Sequence, residues 1–196
     1  MNKDDLRFAR TEKLIEEAFL KNVEEKGFDK TSVSDICRDA GISRHAFYTH
    51  YEDKYRLLDR FMEELDITLQ EGITQEVLDA ARSGNFDHSS KRIVRDIAAN
   101  RDVIRVLLKC RREEITKMME QLYLDIPTSM YVEDYWDRIR EDRLRIVRAS
   151  ISNSITGFVE EAVNQGGVIE AEKLYEWFND ISNYFGNYYL KQLRDI

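Results

Sequence analysis

The residues best suited to chemistry stand together between positions 44 and 54. Arg44, His45, Tyr48, Thr49 and His50 supply a guanidinium, two imidazoles, a phenol and a hydroxyl, and Lys54 follows close behind. In a helix, Ala46, Phe47 and Tyr51 take the inner face and leave those five residues outward. Side chains of this kind donate to phosphate oxygens and to base edges, and an arginine meets guanine through two parallel hydrogen bonds. Most polar helix faces meet only water, so this reading depends on the elements around it.

Other chemistry is poorly served. His45 and His50 belong to the cluster, and His88 lies in a polar stretch, DHSS. No Ser/His/Asp or Cys/His set, phosphate-cradling glycine loop or paired metal-ligand motif is present, so the chain is not expected to be an enzyme. Cys37 and Cys110 fall on apolar helical faces and read as small core residues of a reduced, cytoplasmic protein. Neither a metal nor a cofactor is expected. Met1–Asp5 is polar and no apolar run follows, so no leader is expected, and no stretch approaches the ~20 apolar residues of a membrane span.

The elements that must position the cluster occupy Thr31–Leu58, TSVSDICRDAGISRHAFYTHYEDKYRLL. Thr31 or Ser32 suits a helix start, with Asp35 in the first turn. Val33, Ile36, Cys37 and Ala40 fall at i, i+3, i+4 and i+7, one helical face. Gly41 tolerates the left-handed backbone that ends a helix, Ile42 anchors the turn, and Ser43 caps a second short helix carrying the cluster. Glu52 or Asp53 opens a third. This is the pattern of a helix-turn-helix.

Residues 11–58 resemble the N-terminal DNA-binding domain of the TetR family of bacterial transcriptional regulators. The matching features are Phe19, Gly27-Phe28, Thr31-Ser32-Val33, Ile36, Ala40-Gly41-Ile42-Ser43, Phe47-Tyr48, Tyr51, Lys54 and Leu57-Leu58. The resemblance implies roles by position. Arg44, His45 and Thr49 are similar to residues that approach base edges in the major groove. Tyr48 and His50 resemble a phosphate- and sugar-contacting pair. Lys54 resembles a lysine that binds phosphate at a helix start, and Ser32 and Ser34 resemble further backbone contacts. It also implies a homodimer on palindromic double-stranded DNA, controlled by a small-molecule or protein effector, with repression as the family's usual direction.

Charge argues for restraint. The chain carries a formal net charge of −8. Residues 1–60 hold 12 Lys and Arg against 13 Asp and Glu, a balance of −1, and the remaining −7 lies beyond. Phosphate binding therefore requires the positive groups to be gathered on one face. Lys3, Arg7 and Arg10 suit either a backbone contact or a solvated helix end.

The fold class expected is all-α: a three-helix bundle with helix-turn-helix over 1–58, and a larger helical regulatory and dimerisation domain over 59–196. There is a single proline, Pro127, and no strand-like alternation of any length. A first helix is predicted over 6–26, with Leu14, Ile15, Ala18, Phe19 and Val23 inward. The helix that opens near Asp53 is predicted to reach Gly72, with a separate short piece at Val77–Ala81. Helical segments follow over 91–100, 103–109 and 111–124, and two long helices over 135–165 and 171–193. Met62, Leu65, Ile97, Leu107, Met118, Met119 and Leu122 are candidate linings of an effector pocket, although apolar residues at helical spacing are more often plain core. The last helix is richer in aromatics than one partner needs, which points to an interface. Ile151, Ile155, Phe158, Trp177, Phe178, Ile181 and Phe185 are its candidate residues. A helical adaptor that binds a protein through this surface, and no longer binds DNA, is the alternative reading.

Overall fold

The computed structural model describes residues 3–83, 91–125 and 141–164, together with Lys173, Glu176, Trp177 and Asp180. Among the described residues seven helices run in order: α1 (Lys3–Lys26), α2 (Val33–Ala40), α3 (Arg44–His50), α4 (Lys54–Ser83), α5 (Lys91–Ala99), α6 (Arg101–Asp125) and α7 (Glu141–Asn164). No strand occurs among the described residues. The fold is all-α, as the sequence pattern requires. Two compact units divide the chain, Met1–Glu64 and Leu65–Ile196.

In the first unit, α1 supplies Ile15, Ala18, Phe19 and Val23 to a core completed by Ile36, Cys37, Phe47, Leu57, Leu58 and Phe61. Phe19 is the centre, stacked on Phe61 at 5.8 Å and edge-on to Phe28 at 6.2 Å. Each such side chain, fully buried, contributes about 1.5–3 kcal/mol. Leu14, expected inward, is instead 38% exposed, because the buried stripe of α1 turns toward Ala18 and Asn22. Asn22 is buried without loss, since its Nδ2 donates to the Ala18 carbonyl and to Asp39 Oδ2, both at 2.8 Å.

The turns are built as their residues dictate. Ser32, rather than Thr31, caps α2: its Oγ accepts from the Asp35 amide while Asp35 Oδ2 accepts from the Ser32 amide, a reciprocal pair. Thr31 is buried and donates to the Gly27 carbonyl. Gly41 ends α2 at φ +67°, and the Ile42 amide reaches back to the Cys37 carbonyl. Ser43 Oγ accepts from the Ala46 amide to start α3. Asp53 Oδ1 accepts from the Tyr55 and Arg56 amides at 2.8 Å to start α4.

α4 does not stop at Gly72. It runs unbroken to Ser83, so the separate piece predicted at Val77–Ala81 is part of the same helix. A glycine inside a helix costs about 1 kcal/mol against alanine. Here it makes room: a Cβ at Gly72 would lie 2.8 Å from Asp96 Oδ2 on α5.

In the second unit, α6 and α7 pack along each other. Ile104, Leu107, Ile115, Val159 and Val163 are buried, and Val94 of α5 packs with Ala162, Ala98 and Phe158. α6 is broken at Arg111 (φ −143°, ψ 44°), close to the division expected there. Arg101 and Arg105 both donate to the Val163 carbonyl near the end of α7, where cations meet the negative end of the helix dipole. The predicted final helix over 171–193 lies outside the described residues, apart from the four named above.

Candidate nucleic-acid interface

α3 is seven residues long, and its position is set by what it buries. Phe47 is fully buried and Tyr51, its C-cap, is 5% exposed. Arg44, His45, Tyr48 and Thr49 are exposed, the Tyr48 side chain to 53%. Arg44, His45 and Tyr48 make no side-chain hydrogen bond or ion pair among the described residues, so their donors are available to a ligand. Thr49 Oγ1 donates to the His45 carbonyl at 3.0 Å, which leaves its lone pairs outward.

The cations around α3 are not equally available. Arg38 is paired with Asp35 at 3.1 Å and Asp39 at 3.0 Å, and Lys26 lies 2.7 Å from Asp35. Those contacts, Lys26 first and then Ser32, hold the Asp35 carboxyl well below the usual carboxylate range. Arg56 pairs with Asp59, and Arg60 with Glu64 and Glu12. The positive charge of α2 and α4 is thus largely neutralised within the fold, while Arg44 is not.

Lys54 stands differently from its expected role at a phosphate. Its Nζ donates to the carbonyls of Phe28 and Thr31 at 2.8 Å and of Asp29 at 3.3 Å, and it lies 4.5 Å from the centre of the Phe28 ring. An ammonium has three N–H bonds, and all three are accounted for. The loop between α1 and α2 wraps this charge. Ser32 is exposed, but its hydroxyl serves its own cap and donates to Asp35 Oδ2 at 2.6 Å. Ser34 is exposed on α2.

His50 is half-buried at the end of α3, its ring stacked on Phe8 at 3.9 Å. Burial lowers its pKa below the ordinary histidine value, against a smaller opposing pull from Glu12. Beside it the Tyr51 hydroxyl donates to Glu16 at 3.2 Å and Glu12 at 3.4 Å. Burial first, and then those carboxylates, raise the Tyr51 pKa, and burial raises that of Glu16 as well. Phe8, Glu12 and Glu16 escaped the sequence reading. Their spacing of i, i+4 and i+8 marks one stripe of α1, but nothing local says that the end of α3 lies against it.

Of the candidate pocket residues, Leu65, Ile97, Leu107, Met118 and Met119 are buried in the second unit, and half-buried Met62 belongs to the first. The Leu122 side chain lies outside the described residues. Of the candidate interface residues, Ile155 and Phe158 are half-buried on α7, and Trp177 is 44% exposed. The Ile151 side chain and Phe178, Ile181 and Phe185 lie outside the described residues.

The arrangement defines an all-helical DNA-binding protein of the helix-turn-helix class. Residues 19–61 match the family model described as bacterial regulatory proteins, tetR family. That match covers the helix-turn-helix of the first unit and supports a DNA-binding role for it. Solved structures share the fold along nearly the whole length. A TetR transcriptional regulator from Streptococcus agalactiae 2603V is 22% identical, with TM-score 0.59, over 91% of this chain and 96% of that one. A structure titled dihydroxyacetone kinase operon activator DhaS is 19% identical, with TM-score 0.56, over 95% of this chain and 97% of that one. No curated protein sequence matches the chain. No helix among the described residues is long and apolar enough to cross a membrane.

Proposed function

We propose that the chain binds a palindromic operator as a homodimer and leaves it when an effector occupies the second unit. The observation that supports this best is the outer face of α3, where Arg44, His45 and Tyr48 are exposed and unpaired while neighbouring cations are held by carboxylates. Arg44 reads a base, guanine by preference, because its fork matches two acceptors on one base edge. Tyr48, Thr49, His45, His50, Ser32 and Ser34 surround it as phosphate, sugar and base-edge contacts. Lys54 acts indirectly, by holding the loop that carries the start of α2.

A dimer sets two such helices about one DNA turn, ~34 Å, apart. Pairing falls to α7 and the segment beyond it, through Ile151, Ile155, Phe158, Trp177, Phe178, Ile181 and Phe185. The effector lodges among Leu65, Ile97, Leu107, Met118, Met119 and Leu122, with Met62 next to them in sequence order. It acts only insofar as it favours one conformation over the other. Repression is the direction proposed. One protein of similar fold is titled an operon activator, so the fold itself suits either sign.

Selection of genomic fragments on the immobilised full-length protein tests this. A recurring palindrome with half-sites one turn apart is the expected result. Binding that is equally strong at every sequence and vanishes with salt overturns it.

A further inference from the structure

The end of the recognition helix is gripped from one side by α1. His50, the last residue of α3, stacks on Phe8 with 3.9 Å between ring centres and 29° between planes. His50 Nδ1 is buried with no hydrogen-bond partner among the described residues. The next residue, Tyr51, is buried and donates its hydroxyl to Glu16 and Glu12. Phe8, Glu12 and Glu16 lie on one stripe of α1. One helix face therefore holds two consecutive residues at the point where α3 ends.

The orphaned nitrogen fixes the state of the ring. An unpartnered N–H is rarer and costlier in a protein interior than an unpartnered lone pair. The neutral imidazole therefore carries its proton on Nε2 and turns the lone pair of Nδ1 inward. Protonation would place an N–H with no acceptor at the buried position. The charged groups around the ring do not reverse this. Glu12 on α1 favours the cation, but Arg60 of α4 lies 3.4 Å from the Glu12 carboxylate and also pairs with Glu64. Glu16 is engaged by the Tyr51 hydroxyl, and Tyr51 itself stays a neutral phenol.

We propose that Phe8 is a positioning residue for DNA recognition: stacked on a neutral His50, it fixes the end of the recognition helix, and protonation of that ring loosens the helix end and weakens DNA binding. Phe8 carries no charge and sits outside α2 and α3, so it acts through His50 rather than on the DNA. The inference rests on the DNA-binding reading above. It makes the acid dependence of binding opposite to that of a histidine acting as a cationic phosphate contact, which would bind more tightly as the pH falls.

The test uses full-length protein with ¹⁵N-labelled histidine and a duplex carrying the selected operator. In the free protein, the ring nitrogens of His50 should report the Nε2–H form and a titration midpoint below the ordinary histidine value. Phe8→Leu should raise the His50 midpoint toward the ordinary histidine value. It should also weaken operator binding by about two- to ten-fold near neutral pH, the range that one aromatic pair supplies, with the salt slope unchanged. Phe8→Tyr, which keeps the ring, should restore both. Phe8 is 46% exposed, so Phe8→Leu keeps the core, and circular dichroism checks it. An Nδ1–H form, a wild-type midpoint and affinity in Phe8→Leu, a loss accompanied by a shallower salt slope, or tighter binding on acidification through His50 would each overturn the proposal. If the wild-type protein selects no duplex, the regulator reading fails and takes the proposal with it, while the free-protein titration still shows whether the stack exists.

Discussion

At the scale of single residues, Arg44 and Lys54 divide the work of positive charge. Arg44 has its guanidinium in solvent, and Lys54 has its ammonium among carbonyls. Arg44→Ala should cost about 1–3 kcal/mol of operator binding and relax the preference at one base pair per half-site, measured by binding to single-base operator variants. Lys54→Ala should instead lower folding stability by about 1–3 kcal/mol in denaturant titration, since it strips a charged donor from partly buried carbonyls. Its DNA complex should keep the wild-type salt slope, and a slope reduced by about 1 would return Lys54 to a phosphate. Asp35 carries a pH signature. Its folded pKa is depressed by Lys26 and Ser32, so its stabilisation is complete above its unfolded pKa of about 3.9 and is lost as the pH falls below it. Urea midpoints measured through that window should fall less in Asp35→Asn than in the wild type.

At the scale of elements, the helix-turn-helix was legible because its signals are local. Ser32, Gly41, Ser43 and Asp53 each act within a few residues of themselves, and each sits where its chemistry requires. Gly41→Ala should cost about 1 kcal/mol, because φ +67° crowds a Cβ, and a thermal melt would show it. What stayed hidden was long-range. The carbonyl cage around Lys54 joins residues 23–26 positions apart, and the stack of His50 on Phe8 spans α1 to α3. No periodicity encodes either. Gly72 misled for the opposite reason: glycine is a local stop signal, but here it answers to Asp96 on a neighbouring helix. The exposure of Leu14 is a smaller case of the same kind, since it lies at the margin of a buried stripe made by Ile15, Ala18, Phe19, Asn22 and Val23.

At the scale of the whole molecule, the acidic balance of the chain and the near-neutral first unit mean that a single copy has little charge with which to hold DNA. Two copies on one duplex double the contacts without a second entropy cost of association, and that is the reason to expect pairing. Replacing Phe178 by Glu should give a monomer in light scattering and reduce operator affinity by at least ten-fold. A stable dimer in that variant would move the pairing surface elsewhere. The all-helical fold follows from the first unit's pattern and the helical length of the second. The chemistry of any effector does not, because the Leu, Ile and Met positions proposed to receive it read in sequence like any well-packed interior.

The setting of Lys54 has one more implication. An arginine there would look like a harmless exchange, yet a flat five-pronged fork cannot converge on three oxygens gathered about a point. Lysine acetylation would erase the same charge with no change of sequence. Either alteration would slacken the loop between the first two helices, which this ammonium holds by its carbonyls.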